Sequence, residues 1–319
     1  MALLVIENYF PEQAREWDAF VEKSWNGTFL HTRRYLSYHG DRFHDESVII
    51  HSQDGKWLGI LASAQDPSDP TTVMSHPGIT FGGLIHGPEL ASPEIHPALE
   101  AACAHYAARG YKRLRYKTVP HIYHRVLCEE DRYALTKLKA TLYRGDLWSV
   151  VNLAEPNPVT AKTRRKINKA SHASLTLCRD TEQLPLVWEL IHAQLDQRYR
   201  GTPVHSLEEL QELFHRFPQY LTCWGTYINN YLAAAVITYK FGRVIRFQYS
   251  SSTEEGRAVN APIWLFSQIL AESQQLALSW ADFGHSQDPS TQAIQDGLYR
   301  FKKQFGSHGL VHQFFEVAL

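Results

Sequence analysis

The stretch ADFGHSQDPSTQAIQDGLYRFKKQFGSHGLVHQFFEVAL, residues 281–319, brings Asp282, His285, Tyr299, Lys302 and Lys303 close together in sequence. It reads as a strand, a polar loop, a helix over 291–305 and a last strand. Ligands bind at strand ends in open α/β sheets, so Asp282 and His285 are candidate general bases. Tyr249 ends an earlier predicted strand and is a candidate acid or a donor to a developing oxyanion. On the predicted helix, Ile294, Leu298, Phe301 and Phe305 recur at core spacing, and Tyr299 and Lys302 share a different face. The ordinary reading of that helix is an aromatic core with solvated lysines.

A second candidate is QYSSSTEEGRAVNAPIWLFSQIL, which holds Ser250, Ser251, Ser252, Gly256, Arg257 and Asn260 between a strand and a helix. The unpaired N–H groups at a helix start suit a pyrophosphate or a carboxylate. Arg257 adds charge, Glu254 and Glu255 oppose it, and a solvated loop with an Asn cap is the competing reading. A third candidate is AKTRRKINKASH, where Lys162, Arg165, Lys166 and Lys169 fall on one helical face. That face is either solvated or turned toward an anion, which Arg forks would grip. No G-x-S-x-G elbow, P-loop or G-x-G-x-x-G is present. The 17 histidines are dispersed without metal-ligand spacing, so no metal is expected.

Composition limits the partners. A net charge of −1 supplies no global field for nucleic acid or membrane, so an anion site must be local. The apolar share of 44% and charged share of 20% are those of a globular protein. Four scattered cysteines form no C-x-x-C pair and are expected to be reduced core thiols. No apolar run reaches the ~20 residues of a membrane span, and the cytoplasm is the expected location.

The elements that must position these residues recur in a common order. Each half reads as helices, a hairpin, a strand, a helix, a strand, a helix and a strand. Asp54-Gly55, Asn229-Asn230 and Phe241-Gly242 mark turns, and AEPNPVTAKT interrupts the periodicity. The expectation is an α/β (α+β) chain of two lobes, 1–155 and 156–319, each a mixed sheet with helices packed on it.

The motifs DFGHSQ and GLYRFKKQFGSHGLVHQFFEVAL, with GTFLHTRRYLSYHGDRF, SHPGITFGGLI, RRKINKA and PVHSLEELQELFHRFP, resemble those of FemAB/FemX-type proteins. They are most similar to the shorter bacterial branch described as N-acetyltransferase-like. The resemblance runs from about Phe29 to the end. It implies tandem GNAT-like lobes with mostly antiparallel sheets, the C-terminal one catalytic. It further implies acyl or aminoacyl transfer to an amine, from acyl-CoA or aminoacyl-tRNA. Such chemistry needs alignment and carbonyl polarisation without a covalent enzyme intermediate.

By motif match, Arg164 and Arg165 would hold acceptor phosphates, Lys302 would lie near the reacting carbonyl or a phosphate, and Tyr249 near the donor. Gln248 and His39 join the expected acceptor-binding group, and Ser251, Ser252, Gly256, Arg257 and Asn260 the expected donor loop. His31, Tyr35 and His39 stand where the peptidoglycan-bridge enzymes commonly carry Gln, Trp and Lys, which argues against a muropeptide acceptor. The expected donor is acyl-CoA (acetyl-CoA), because so little net charge offers no broad tRNA surface. The expected acceptor is a small-molecule or lipid-linked sugar or amine. Aminoacyl-tRNA as donor, and a catalytically inactive binding protein, are the alternatives.

Overall fold

The computed structural model describes residues 4–90, 92–155, 159–199, 204–288 and 291–319. The chain divides into two compact units, Met1–Asp146 with Val311–Leu319, and Leu147–Leu310.

The first unit opens with β1 (Val5–Asn8), α1 (Ala14–Lys23) and the short α2 (Arg33–Leu36). On α1, Trp17 and Val21 are buried, and the Trp17 indole donates to His31 O at 2.7 Å. Strands β2 (Val48–His51), β3 (Trp57–Leu61), β4 (Ala64–Asp66), β5 (Asp69–Met74) and β6 (Leu84–His86) follow. After them come α3 (Ile95–Ala108), β7 (Arg113–Lys117), α4 (Glu130–Lys137) and β8 (Thr141–Asn152), which carries the chain into the second unit. The Asp54-Gly55 turn closes the β2–β3 hairpin as expected. One sheet, ordered β1-β2-β3-β6, is antiparallel throughout. In the other, β4 pairs antiparallel with β5 and β5 pairs parallel with β7. Helix α3 buries Ala98, Leu99, Ala102 and Tyr106 in one core with Ile50, Leu61, Val73, Leu114 and Val317. An apolar helix face has a place only where sheet faces present such residues to it.

The second unit holds α5 (Ala161–Ser171), β9 (Thr176–Cys178), α6 (Leu184–Tyr199) and α7 (Leu207–Arg216). It continues through β10 (Leu221–Ile228), β11 (Tyr231–Phe241), β12 (Val244–Ser252), α8 (Glu254–Ala258) and α9 (Ala261–Gln275). Strand β13 (Trp280–His285), α10 (Asp296–Lys303) and β14 (His308–Ala318) close the chain, the greater part of β14 belonging to the first unit. There β14 pairs antiparallel with β7. Strands β9 to β12 form an antiparallel succession, β12 pairs parallel with β13, and β13 pairs antiparallel with β8. Asn229 and Asn230 both take positive φ, 47° and 67°, as a tight hairpin turn requires. Each unit is thus a mixed, mostly antiparallel arrangement flanked by helices.

The second core is aromatic. Phe266 of α9 stacks on Phe305 at 5.3 Å and meets Phe247, Phe283 and Phe301 within 5.4 Å, so α9, α10, β12 and β13 are locked together. The expected helix over 291–305 is shorter than the spacing predicts. Asp288 accepts from Thr291 N at 3.0 Å, Gln292 takes a φ of 59°, and Ile294 bridges to Gln287. The turn held by the Asp288 carboxylate delays the helix to Asp296, and Ile294 is exposed instead of joining the core stripe. No helix among the described residues is long and apolar enough to cross a membrane.

Candidate functional site

The site is built on the parallel pair β12–β13. Their register runs Val244↔Trp280, Ile245↔Ala281 and Arg246↔Asp282, and ends there. Strand β12 runs on to Ser252 in register with β11, while β13 bulges against β8 after Asp282 and stops at His285. Two parallel strands that part in this way present facing backbone groups at their carboxyl ends, where a ligand with amide groups can pair.

Strand β12 carries a bulge of its own. Ile237 faces Tyr249 and the next residue, Thr238, faces Phe247, which leaves Gln248 as the extra residue. Period-two alternation would put Tyr249 in the apolar layer with Phe247. The bulge re-aims it. Phe247 stays in the core beside α9, and the Tyr249 ring packs edge-on against Trp188 of α6 at 5.2 Å.

At the base of the fork Arg246 and Asp282 form a buried ion pair, with Asp282 fully inaccessible. The second Asp282 oxygen accepts from Gly284 N at 2.7 Å. Gly284 holds a φ of 66°, a left-handed conformation that glycine adopts without strain. Arg246 also donates through Nε to Gln248 Oε1 at 3.1 Å and lies 4.4 Å above the Trp148 ring. Removing one partner of such a pair leaves a buried charge uncompensated, at about 3–5 kcal/mol.

Lys302 of α10 reaches this turn and, against the ordinary reading, is buried at 6% exposure. Its Nζ donates to Gly284 O at 3.1 Å and to His285 O at 2.5 Å. Burial pushes its ammonium down to about 7, opposed by the Asp282 carboxylate and reinforced by Arg246. The neutral amine has two N–H donors, which match the two carbonyls, and a lone pair; the ammonium has one N–H more. A group that titrates near neutrality is suited to proton transfer. Beside it, the buried Ser286 hydroxyl has no hydrogen-bond partner among the described residues.

Of the residues singled out from sequence, Asp282, His285, Lys302, Gln248 and Tyr249 therefore gather about one strand fork. The loop residues lie farther along β12 and hold local structure. Ser251 Oγ donates to Leu190 O at 2.9 Å and to Gln194 Oε1 on α6 at 2.5 Å, and Ser252 O accepts from Arg257 Nη1 at 2.6 Å. A Cβ on Gly256 would fall 2.1 Å from Ala233 O, so glycine is required for close backbone packing. Asn260 precedes α9 in a left-handed conformation without a side-chain cap bond. Arg164 and Arg165 are exposed on α5, which packs against α9. His39 belongs to the first unit, where its ring nitrogens bond Leu36 O at 2.9 Å and Gly78 O at 3.0 Å.

Four residues at the fork were not singled out from sequence: Arg246, Trp148, Ser286 and His205. Arg246 had a signal, a charge between Ile245 and Phe247 in an otherwise apolar run. His205 had none, because the tyrosine it meets is 44 residues away. Among the described residues no cluster of His, Cys, Asp or Glu could hold a metal ion.

Residues 159–303 match the acetyltransferase (GNAT) domain family. No curated protein sequence matches the chain. Among solved structures FemX is similar at a TM-score of 0.70 and 12% identity, over 99% of this chain and 97% of FemX. L-PGS from Bacillus licheniformis is similar at 0.60 and 12%, over 97% and 92%. A tandem GNAT protein from the clavulanic acid biosynthesis pathway is similar at 0.54 and 10%, over 99% and 98%. The resemblance to FemX-type tandem GNAT proteins read from the motifs is borne out in the fold.

Proposed function

We propose that this chain, with the fold of FemX and a GNAT match over residues 159–303, is an N-acyltransferase that moves an acyl group from acyl-CoA to an amine. The observation that carries the reading is the Lys302 amine, buried, near-neutral and bound to the β13 terminus where β12 and β13 part. The amide-bearing pantetheine arm of CoA would pair along the fork as an added strand. The amine nitrogen attacks the thioester carbonyl, the N–C bond forms and the C–S bond breaks. Lys302 in its ammonium form offers its third N–H to the charge that develops, and the buried Arg246–Asp282 pair fixes the turn that holds it.

The acceptor we favour is an amino sugar, a sugar nucleotide or another surface-polysaccharide or small-molecule precursor, its phosphates met by Arg164 and Arg165. Helix α5 also favours a second reading, with aminoacyl-tRNA as donor. Lys162, Arg165, Lys166 and Lys169 share one face of an eleven-residue helix that includes no acid, and such a face suits a phosphate backbone. The third reading, a binding protein without turnover, keeps the fold and loses the chemistry.

Thermal shifts with CoA, acetyl-CoA, UDP-sugars and aminoacyl-tRNA separate the three, followed by mass spectrometry of amine acceptors. A ligand at a hundred times its Kd stabilises by about 2.7 kcal/mol. Stabilisation by acetyl-CoA with acyl transfer is expected. Retention of tRNA with steep salt dependence, and no response to CoA, would move the donor to tRNA; binding without transfer would leave the third reading.

A further inference from the structure

The Tyr249 hydroxyl meets His205 Nδ1 at 2.6 Å, with the two rings nearly perpendicular at 86° and centroids 5.8 Å apart. His205 is buried at 6% exposure, whereas Tyr249 is half-buried where β12 leaves β13. The backbone that carries the imidazole is anchored by the residue that follows it. Its neighbour Ser206 caps α7, accepting from Glu209 N at 3.2 Å and donating its own N–H to Glu209 Oε2 at 2.8 Å. Trp188 packs edge-on against the Tyr249 ring. A core tyrosine needs its hydroxyl satisfied, and any backbone carbonyl would serve. Here the partner is an imidazole nitrogen, which can take a proton as well as accept a hydrogen bond. The bulge at Gln248 is what turns the phenol out of the Phe247 layer to meet it.

We infer that His205 is a positioning residue for the transfer step, acting on the attacking amine through the Tyr249 hydroxyl. The inference rests on the acyltransferase reading above. In the neutral Nε2–H tautomer, His205 accepts the Tyr249 proton at Nδ1, which aims a phenol oxygen lone pair toward the fork. As the N–C bond forms, the amine proton passes to Tyr249 Oη and the original phenol proton passes to His205 Nδ1. The C–S electron pair leaves with the sulfur as thiolate, and the imidazolium later releases its proton to solvent. Protonated before the step, His205 would donate to the phenol oxygen and occupy the lone pair the amine needs. Turnover therefore falls as pH falls. The other titratable groups at this fork are Asp282 and His285 of β13 and Lys302 of α10, with the permanently charged Arg246 on β12. On the helix side Glu209 accepts from Ser206 N and His192 lies beside Trp188.

The test uses full-length protein with Tyr249→Phe, His205→Ala, His205→Asn and the double His205→Ala/Tyr249→Phe. The two single truncations should each lower kcat about a hundredfold with KM little changed, and the double should be no worse than Tyr249→Phe. Asn places an acceptor near the Nδ1 position but cannot take the proton, so His205→Asn should stay about as slow as His205→Ala and lose the acidic limb of the pH profile. Independent, multiplying losses in the double, or an acidic limb that survives His205→Asn, would overturn the inference. If His205→Ala does not fold, His205→Asn carries the comparison. If the wild type transfers no acyl group from acyl-CoA, the functional reading fails on its own. The pair is then judged by the Tyr249 13Cζ resonance, which must move in His205→Ala or, failing that, differ in its pH dependence in His205→Asn; no change means there is no coupling to transmit.

Discussion

Both units contain a parallel strand pair registered over three residues, and both set a buried lysine at its end. In the first unit the pair is stitched shut. Beyond Met74 and Arg115, Ser75 N donates to Arg115 O at 2.9 Å, Lys117 N donates to Ser75 Oγ at 2.7 Å, and Lys117 Nζ binds His76 O and Ile79 O at 2.6 and 2.5 Å. In the second unit the register stops at Arg246 and Asp282, a bulge turns β12 aside, and the lysine comes from a helix. Burial pushes both ammonium groups down to about 7. Lys117 has no carboxylate among the groups that shift it, whereas Lys302 has Asp282. A shared energetic signature therefore does not make a shared function: a perturbed lysine marks burial, and the parting of the strands beside it marks the place for a substrate.

The largest effect should come from that shared signature. Each lysine binds a proton in the unfolded chain up to its ordinary 10.5 and in the folded chain only up to about 7. Between those values the unfolded state holds more protons, so stability rises with pH across the window and the full cost is present below 7. At ~1.4 kcal/mol per tenfold in proton affinity, the cost is up to about 5 kcal/mol for each lysine. Relative to wild type, Lys117→Met and Lys302→Met should each gain stability as pH falls from 10 to 7, read as denaturant midpoints. Curves that stay parallel to wild type would show that the ammonium groups are solvated.

Turnover should then separate what stability unites. Lys302→Met is expected to lose about a hundred- to a thousandfold in kcat, while Lys117→Met keeps kcat per folded molecule. Equal losses in both would end the distinction between a closed pair and an open one. The smallest effect tests the stitch. Ser75→Ala leaves the buried Lys117 N–H without its acceptor, which should cost about 1–3 kcal/mol in a urea titration and leave acyl transfer untouched. A large fall in rate per folded molecule would place chemistry in the first unit.

The elements were legible where local chemistry decides them. Asn229-Asn230 and Asp54-Gly55 announce their turns because each is satisfied within a few residues. The candidate site was legible at Asp282, Tyr249 and Lys302, which stand near the ends of the expected elements, although β12 runs on to Ser252 and β13 to His285. What was hidden depends on distant partners. The burial of Lys302 cannot be read from a helix with lysines at 302 and 303, since only the turn at Gly284 distinguishes them. The start of α10 was misplaced because Ile294 keeps helical spacing with Leu298, and the Asp288 side chain that overrides it lies outside that pattern. The bulge at Gln248 leaves no mark in composition.

Strand β14 has a consequence for biogenesis. Residues Val311–Leu319 complete the first unit by pairing with β7 along Lys117–Arg113, yet they follow the whole of the second unit in the chain. On the ribosome, Met1–Asp146 emerges with the β7 edge uncovered, and such an edge invites pairing with other chains. The amino-terminal half must wait, through the translation of its neighbour, for its last strand to be delivered.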